Sequence, residues 1–528
     1  MHLEPVVIDA IPRLAYCVVV DGERVRLYHG VDVEVHGSWF CDGAWDGAFD
    51  EGRIDTGFLA GTGGQLIAGG LRLIAGPNPA DRIFLVRRAD GWLASNSLPF
   101  LLAMLDDALD PAHLGYRSLF RSLMHGLRIG PRTFPTRAGT TVRLLVDETV
   151  ELVGSASSFA SRPAEAPFSD YQGYRAHVVE TMGRLVANAT DPARTTTYPP
   201  IVTASGGYDS TAVLVLASEV GCHEAVNILR PDPDDPDGGW IDHPGVVTEK
   251  IGTELLGRER DTWRGRTDLP EVDLAAAGAD FTEIVLLAIE DDLEGRFLLC
   301  ADAGDSLWNY DVYRGYDDIV RGDTGGQSLS EYRLRHGYIM CSVPYLGFTA
   351  MRSIQRITRS QAMAAWSVGG HYDRPIPRRI VEDAGVDRAA FAHRKFGTAA
   401  MVGCMVPPLS LDHREEHLDV LLEFMTPAGA RSFLDFCDTV RPERYARKAS
   451  LLALAHRAYA ALHGANTVVG LRFGRYGLRG VVPRQVLAWL GSRAAVAPDL
   501  TYLYPHWGTS LLIPEYAPAA AMEAAHAG

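Results

Sequence analysis

In TASGGYDST, residues 203–211, two glycines stand among hydroxyls and one acid, directly after the apolar run 201–204 and directly before a helix-forming run. A strand, a glycine turn and a helix start are the setting in which backbone amides and the positive helix end hold phosphate. Gly206 and Gly207 let the chain turn sharply and bring amides close to an oxyanion. Ser205, Ser210 and Thr211 add hydroxyl donors near the helix start. Asp209 would repel phosphate directly, so its natural role is to hold a Mg²⁺ that bridges the phosphates. The same residues could merely start a helix, with Asp209 and Ser210 as caps. SGG-x-DS after a strand is nevertheless far more restrictive than a lone glycine turn. A second stretch, LLCADAGDSLW at 298–308, places Asp302 and Asp305 just past an apolar run, at the carboxyl end of an expected strand. Open α/β sheets bind ligands there. Alone, two acids in a turn are ordinary; behind the glycine loop they read as a second wall of one site.

SGGYDS resembles the pyrophosphate loop of the ATP-pyrophosphatase superfamily, and the rest of the chain resembles its asparagine-synthetase-like branch, which includes asparagine synthetase B, β-lactam synthetases and lasso-peptide cyclases. The resemblance implies an α/β protein in which a β-rich, N-terminal-nucleophile-hydrolase-like domain (1–160), a degenerate glutaminase, comes first. A parallel-sheet ATP-pyrophosphatase domain with a helical C-terminal part (168–515) and a flexible tail (516–528) follow. Under it, Asp305 falls on the aspartate that shares Mg²⁺ with Asp209. Asp302 falls where synthetases carry Glu and β-lactam synthetases carry Tyr, close to the reacting carbonyl. AHRKFG, 392–397, resembles an R-x-K element whose lysine contacts the ATP phosphates and the developing acyl-adenylate, and Lys395 is the match. Arg378, Arg379 and Arg394 are expected to be structural or surface charges. Two departures matter. The family's glutaminase cysteine is replaced by His2, and the nearest cysteine is Cys17, so glutamine hydrolysis is expected to be absent. In MCSVPYLGF, 340–348, Met340 and Ser342 stand where the family has an acid and an arginine, which argues against asparagine as product. The implied activity is an ATP-dependent amide ligase, with ATP and Mg²⁺, joining a small-molecule or peptide carboxylate to an amine or ammonia. An intramolecular cyclase is the alternative; a tRNA-modifying relative or a non-catalytic scaffold is disfavoured.

Elements must hold these residues. Residues 12–155 alternate apolar runs with turns, and the DG pairs at 21–22 and 90–91 predict hairpins. The glycine-rich stretch 57–76 reads as flexible strand edges, and SASSFASRPAEAPFSD, 155–170, as a linker. Tyr171, Tyr174, Val178, Met182 and Leu185 recur at helical spacing. Strands at 201–204, 225–229 and 297–300 alternate with helices at 211–220 and near 246–256, the pattern of a parallel sheet with crossover helices. Beyond about residue 320 the chain reads as mostly helical, and the tail APAAAMEAAHAG as frayed.

Composition bounds the rest. Among 528 residues, 50 Lys and Arg face 66 Asp and Glu, a formal charge of −16. Such a chain is repelled by phosphate backbones and anionic membranes, so neither nucleic acid nor a membrane is an expected partner. No apolar run is long enough to span a bilayer. The 7 cysteines are scattered without a CxxC pair, which suits reduced thiols in the cytoplasm. A homodimer is allowed.

Overall fold

In the computed structural model of the chain, the described residues are 1–528 apart from 56, 114, 129–131, 231–239, 241, 242, 279–281, 312–317, 320–324, 393–417, 420, 441–499 and 528. In the strand Tyr16–Asp21, YCVVVD, Tyr16, Val18 and Val20 face one core while Cys17 and Val19 face another. A strand apolar on both faces must be covered on both. The seven-stranded sheet built around it therefore packs one face on a six-stranded sheet, whose Phe40, Leu71, Leu73, Val150 and Leu152 complete the first core. Its other face lies under the helices Leu98–Leu105 and Tyr116–Ser122 through Phe100, Leu101, Tyr116 and Phe120. Both DG pairs do close hairpins, Tyr16–Asp21 with Arg24–His29 and Ile83–Arg87 with Gly91–Ser95. The chain changes sheets at Asp147, which adopts φ +51° between the strands Thr141–Leu145 and Glu148–Val153.

Three local expectations give way here. The 57–76 stretch forms interior strands, Thr62–Ile67 and Gly70–Ala75, of the six-stranded sheet. Its glycines are needed because a Cβ at Gly63 would lie 2.4 Å from the Phe40 carbonyl oxygen of the neighbouring strand. Part of the expected linker is a strand, Ala156–Ser161, folded back on Glu148–Val153 through a tight turn at Gly154. All six of its residues are exposed, so no apolar alternation marks it. The C-terminal stretch is a helix, Ala517–Ala527, anchored by Glu523, which accepts from Arg26 Nη2 at 2.8 Å and Tyr28 Oη at 2.7 Å.

The second half is built on a parallel sheet whose strands, numbered within it, are β1 (Pro200–Thr203), β2 (Glu224–Leu229), β3 (Glu254–Glu259), β4 (Phe297–Cys300) and β5 (Ile339–Ser342). Their order is β3-β2-β1-β4-β5. Leu255 and Leu256 belong to β3 rather than to a helix, because the helix Gly245–Ile251 stops at Gly252 in a left-handed cap. β5 likewise interrupts the helical C-terminal region. Val202, Phe297, Leu299 and Cys341 point to the layer of α1 (Tyr171–Ala189) and α2 (Tyr208–Glu219). Ile201, Leu298, Cys300 and Met340 point to the opposite layer, with Leu274, Leu329, Tyr332 and Trp507. The winding direction reverses between β1 and β4, the switch point at whose carboxyl side open α/β sheets bind ligands. No helix among the described residues is long and apolar enough to cross a membrane.

Candidate active site

β1 delivers the glycine loop to this switch point, and the loop's own polar groups fix its shape. Ser205 N–H donates to Ser210 Oγ at 2.8 Å, and Ser210 Oγ donates back to the Thr203 carbonyl at 3.1 Å. Thr211 Oγ1 donates to the Gly207 carbonyl at 2.8 Å. From outside the loop, Asn227 on β2 donates to the Ala204 carbonyl at 2.7 Å, and the Ala392 N–H donates to the Gly206 carbonyl, also at 2.7 Å. The hydroxyls of Ser210 and Thr211 thus serve the backbone. Gly207, at φ −76° and ψ 162°, caps α2 without a side-chain hydrogen bond, and of the first helical amides that of Tyr208 turns to the Tyr372 hydroxyl, which leaves those of Asp209 and Ser210 as the ones an anion would meet.

Asp209 sits in the first turn of α2, where the helix dipole favours a carboxylate. Its Oδ2 pairs with the Arg374 guanidinium, and its Oδ1 is buried without a partner. Its side chain rests on Gly304, where a Cβ would come within 2.7 Å of the Asp209 carboxyl carbon. Only glycine permits that approach, and it seats the loop aspartate against the turn that carries Asp305. Ala303, left-handed at φ +66°, separates Asp302 from Gly304 and Asp305. Asp302 is held by Ser342 at the end of β5, whose Oγ donates to its carbonyl at 2.6 Å, and by Cys300, whose Sγ lies 3.8 Å from Oδ2. Burial pushes the Cys300 thiol well up, so it stays protonated there.

Arg374 opens α3 (Pro375–Asp383) with its side chain only 2% exposed. Its Nε and Nη2 are buried without partners, and burial pulls its guanidinium down to about 10. A desolvated cation with free donors seeks an anion. Next to it, the Tyr372 hydroxyl lies 3.4 Å from the Tyr208 N–H, with the two rings 4.8 Å apart. Asp373 closes the preceding turn by accepting from the Val368 and Gly369 amides, each at 3.1 Å.

The structure therefore places Ser205, Gly206, Gly207, Asp209, Ser210 and Thr211 in the loop and helix start after β1, and Asp302 and Asp305 in the turn after β4 that touches them. Lys395 and Arg394 lie outside the described residues. Arg378 is buried beside the Tyr208 hydroxyl and 4.9 Å from its ring, and Arg379 is sandwiched between Tyr171 and Trp366 at 4.1 and 4.2 Å. Both hold α3 in place, the structural role expected of them. Arg374, Tyr372 and Gly304 escape the sequence reading, as does the hydrogen bond by which Ser342 holds Asp302. Arg374 belongs to a run, DRPIPRR, in which no arginine stands out, and only its distance to Asp209 distinguishes it. Among the described residues no group of three or more His, Cys, Asp or Glu could hold a metal alone. A divalent ion at Asp209 would therefore take phosphate and water oxygens as further ligands, the habit of Mg²⁺. No protein-family model matches the chain, and no curated protein shows significant similarity to it.

Proposed function

We propose that the protein is an ATP-dependent, AMP-forming carbon–nitrogen ligase that activates a carboxylate as an acyl-adenylate and passes it to an amine or ammonia. The observation that carries this reading is the meeting of two loops at the point where strand order reverses. The amide-bearing loop after β1 and the acid-bearing turn after β4 touch through Asp209 and Gly304. In this reading the amides at the start of α2 bind the polyphosphate. Asp209, with its spare buried oxygen, and Asp305 would hold Mg²⁺, which neutralises phosphate charge. The free Nε and Nη2 of Arg374 stabilise charge developing on phosphate oxygens as pyrophosphate leaves. Lys395 is the second candidate for that task, on the resemblance alone. Asp302, fixed by Ser342, takes the proton of the attacking amine. In this reading ammonia or an amine, rather than glutamine, is the nitrogen source, because His2 stands where the glutaminase cysteine would and the thiols of Cys17 and Cys41 are buried, which pushes them up, the reverse of an activated nucleophile.

The test is carboxylate-dependent exchange of labelled pyrophosphate into ATP across a panel of amino acids, small acids and peptides with free carboxyls. Exchange that requires both Mg²⁺ and one class of acid supports the ligase. ATP turnover that ignores every acid, or no nucleotide binding at all, overturns it.

A further inference from the structure

Nearly every sheet edge among the described residues is blocked. His2–Val7 carries Glu4 and Pro5, while Glu34–His36 and Thr133–Pro135 are only three residues long. β3 is charged at Glu254, Arg258 and Glu259, and β5 is buried along its length. Shortness, proline, charge and burial are the ways a protein stops an edge from recruiting another strand. The two-stranded pair Ala44–Trp45 and Leu59–Ala60 is blocked by its shortness, and of the described edges Ala156–Ser161 uses none of these devices. ASSFAS is uncharged, free of proline and exposed at all six residues, and within the sheet it pairs only with Glu148–Val153.

Its two faces differ. Phe159 lies opposite Val150, a member of the core between the sheets, so it sits on the inner face at the rim of that core. It is 37% exposed, and the Arg143 guanidinium lies 3.7 Å from its ring centroid. Arg143 is itself neutralised by Glu148 at 2.9 Å. The outer face offers only Ala156, Ser158 and Ala160, beside Val153, which is 45% exposed.

We propose that Ala156–Ser161 is a homodimer interface, pairing antiparallel with the same strand of a second copy about a two-fold axis at Phe159. In that register 159 faces 159, 158 faces 160, and 157 faces 161. Inner face meets inner face, and an aromatic cross-strand pair is flanked by serine and alanine alone. A slip of one residue would set inner side chains against outer ones. A two-fold interface must be complementary to itself, and small uncharged residues around one aromatic meet that condition. A peptide partner would instead call for pockets that read alternate side chains, where this edge offers Ser and Ala. One strand of this length buries less than the roughly 1,000 Å² typical of stable interfaces, so the dimer is reversible, with Kd on the order of 10⁻⁵–10⁻⁴ M. Nothing in this depends on the reaction catalysed.

Sedimentation velocity across loading concentrations spanning that range should carry the wild type from monomer toward dimer. Phe159→Lys and Phe159→Glu should each remain monomeric, because like charges then face across the axis, and an equimolar mixture of the two should dimerise again. Melting curves beside each variant establish that it is folded, and hydrogen exchange should show residues 156–161 protected only at high concentration. A wild type that stays monomeric, a dimer that survives in either variant alone, or a mixture that stays monomeric overturns the proposal. So would protection of 156–161 by an added alternating Val–Thr peptide without self-association, which would assign the edge to a peptide partner.

Discussion

Asp209 carries the largest share of the chemistry proposed for any single side chain. Asp209→Asn keeps the shape and the packing on Gly304 but removes both the charge that would hold Mg²⁺ and the partner of the buried Arg374, so most Mg-dependent pyrophosphate release should disappear and the melting temperature should fall as well. Titrating activity against magnesium checks this, and near-normal turnover at low magnesium would remove Asp209 from the site. The cation is decided by comparing Arg374→Ala with Lys395→Ala. Whichever side chain meets phosphate only as charge develops should cost about 10²–10³-fold in turnover with little change in ATP binding. Single-turnover adenylate formation with ATP affinity measured separately distinguishes the two; equal, small losses would leave the cation elsewhere.

Two loops and one helix start must hold their positions to a fraction of an ångström for those residues to cooperate. The contact between α2 and the 301–305 turn has no slack, since a Cβ at Gly304 would press on the Asp209 carboxyl at 2.7 Å. Gly304→Ala should therefore push Asp209 out of line and lower turnover by on the order of 10–10²-fold, a typical consequence of a misplacement near 1 Å. The short helix at Gly304 suits alanine, but the displaced carboxyl strains its buried pair with Arg374, so the melting temperature should fall too. Circular dichroism melts beside pyrophosphate assays check both halves of the expectation. A variant with normal rates would mean that the contact between the two loops is dispensable.

Over the whole molecule, the halves are locked by buried charge. Arg333, on the helix Leu329–His336, reaches into the N-terminal half, where its Nη2 donates to Asp42 Oδ2 at 2.8 Å and its Nε lies 3.5 Å from Asp81 Oδ1. Arg333→Met leaves two buried carboxylates without their cation and should cost about 3–5 kcal/mol, read from chemical denaturation. Nearby Glu331 accepts from Ser97 Oγ at 2.7 Å and the Leu98 N–H at 3.0 Å, yet burial outweighs these donors and raises its carboxyl to about 8. Between its ordinary range near 4.5 and 8, the folded chain holds a proton that the unfolded chain has lost. Stability from this group is thus complete below about 4.5, declines as pH rises toward 8 and is flat beyond. Asp81, raised by burial to about 7, acts in the same direction. Denaturation midpoints should fall across that window, and Glu331→Gln should flatten part of the fall; an unchanged slope would mean that Glu331 is ionised in the fold.

What the sequence alone determined is what a few consecutive residues can enforce. The DG hairpins, the apolar stripe of α1 and the strand, glycine turn and helix of 200–219 follow from backbone conformations and periodicities confined to each segment. The bare composition of 155–170 and of the last residues concealed structure for the same reason. Ala156–Ser161 is held by its pairing with Glu148–Val153, and Ala517–Ala527 by Arg26 and Tyr28. Most of the candidate site was legible because Asp209 shares a turn with its loop, and Asp302 and Asp305 follow directly from an apolar strand. Arg374, Tyr372 and the seat on Gly304 were not, since nothing in their neighbours marks them. Only the packing of α3 on α2, and the reversal of strand order between β1 and β4, brings those distant residues against Asp209. Contacts of that kind are set by how layers pack, not by local propensity.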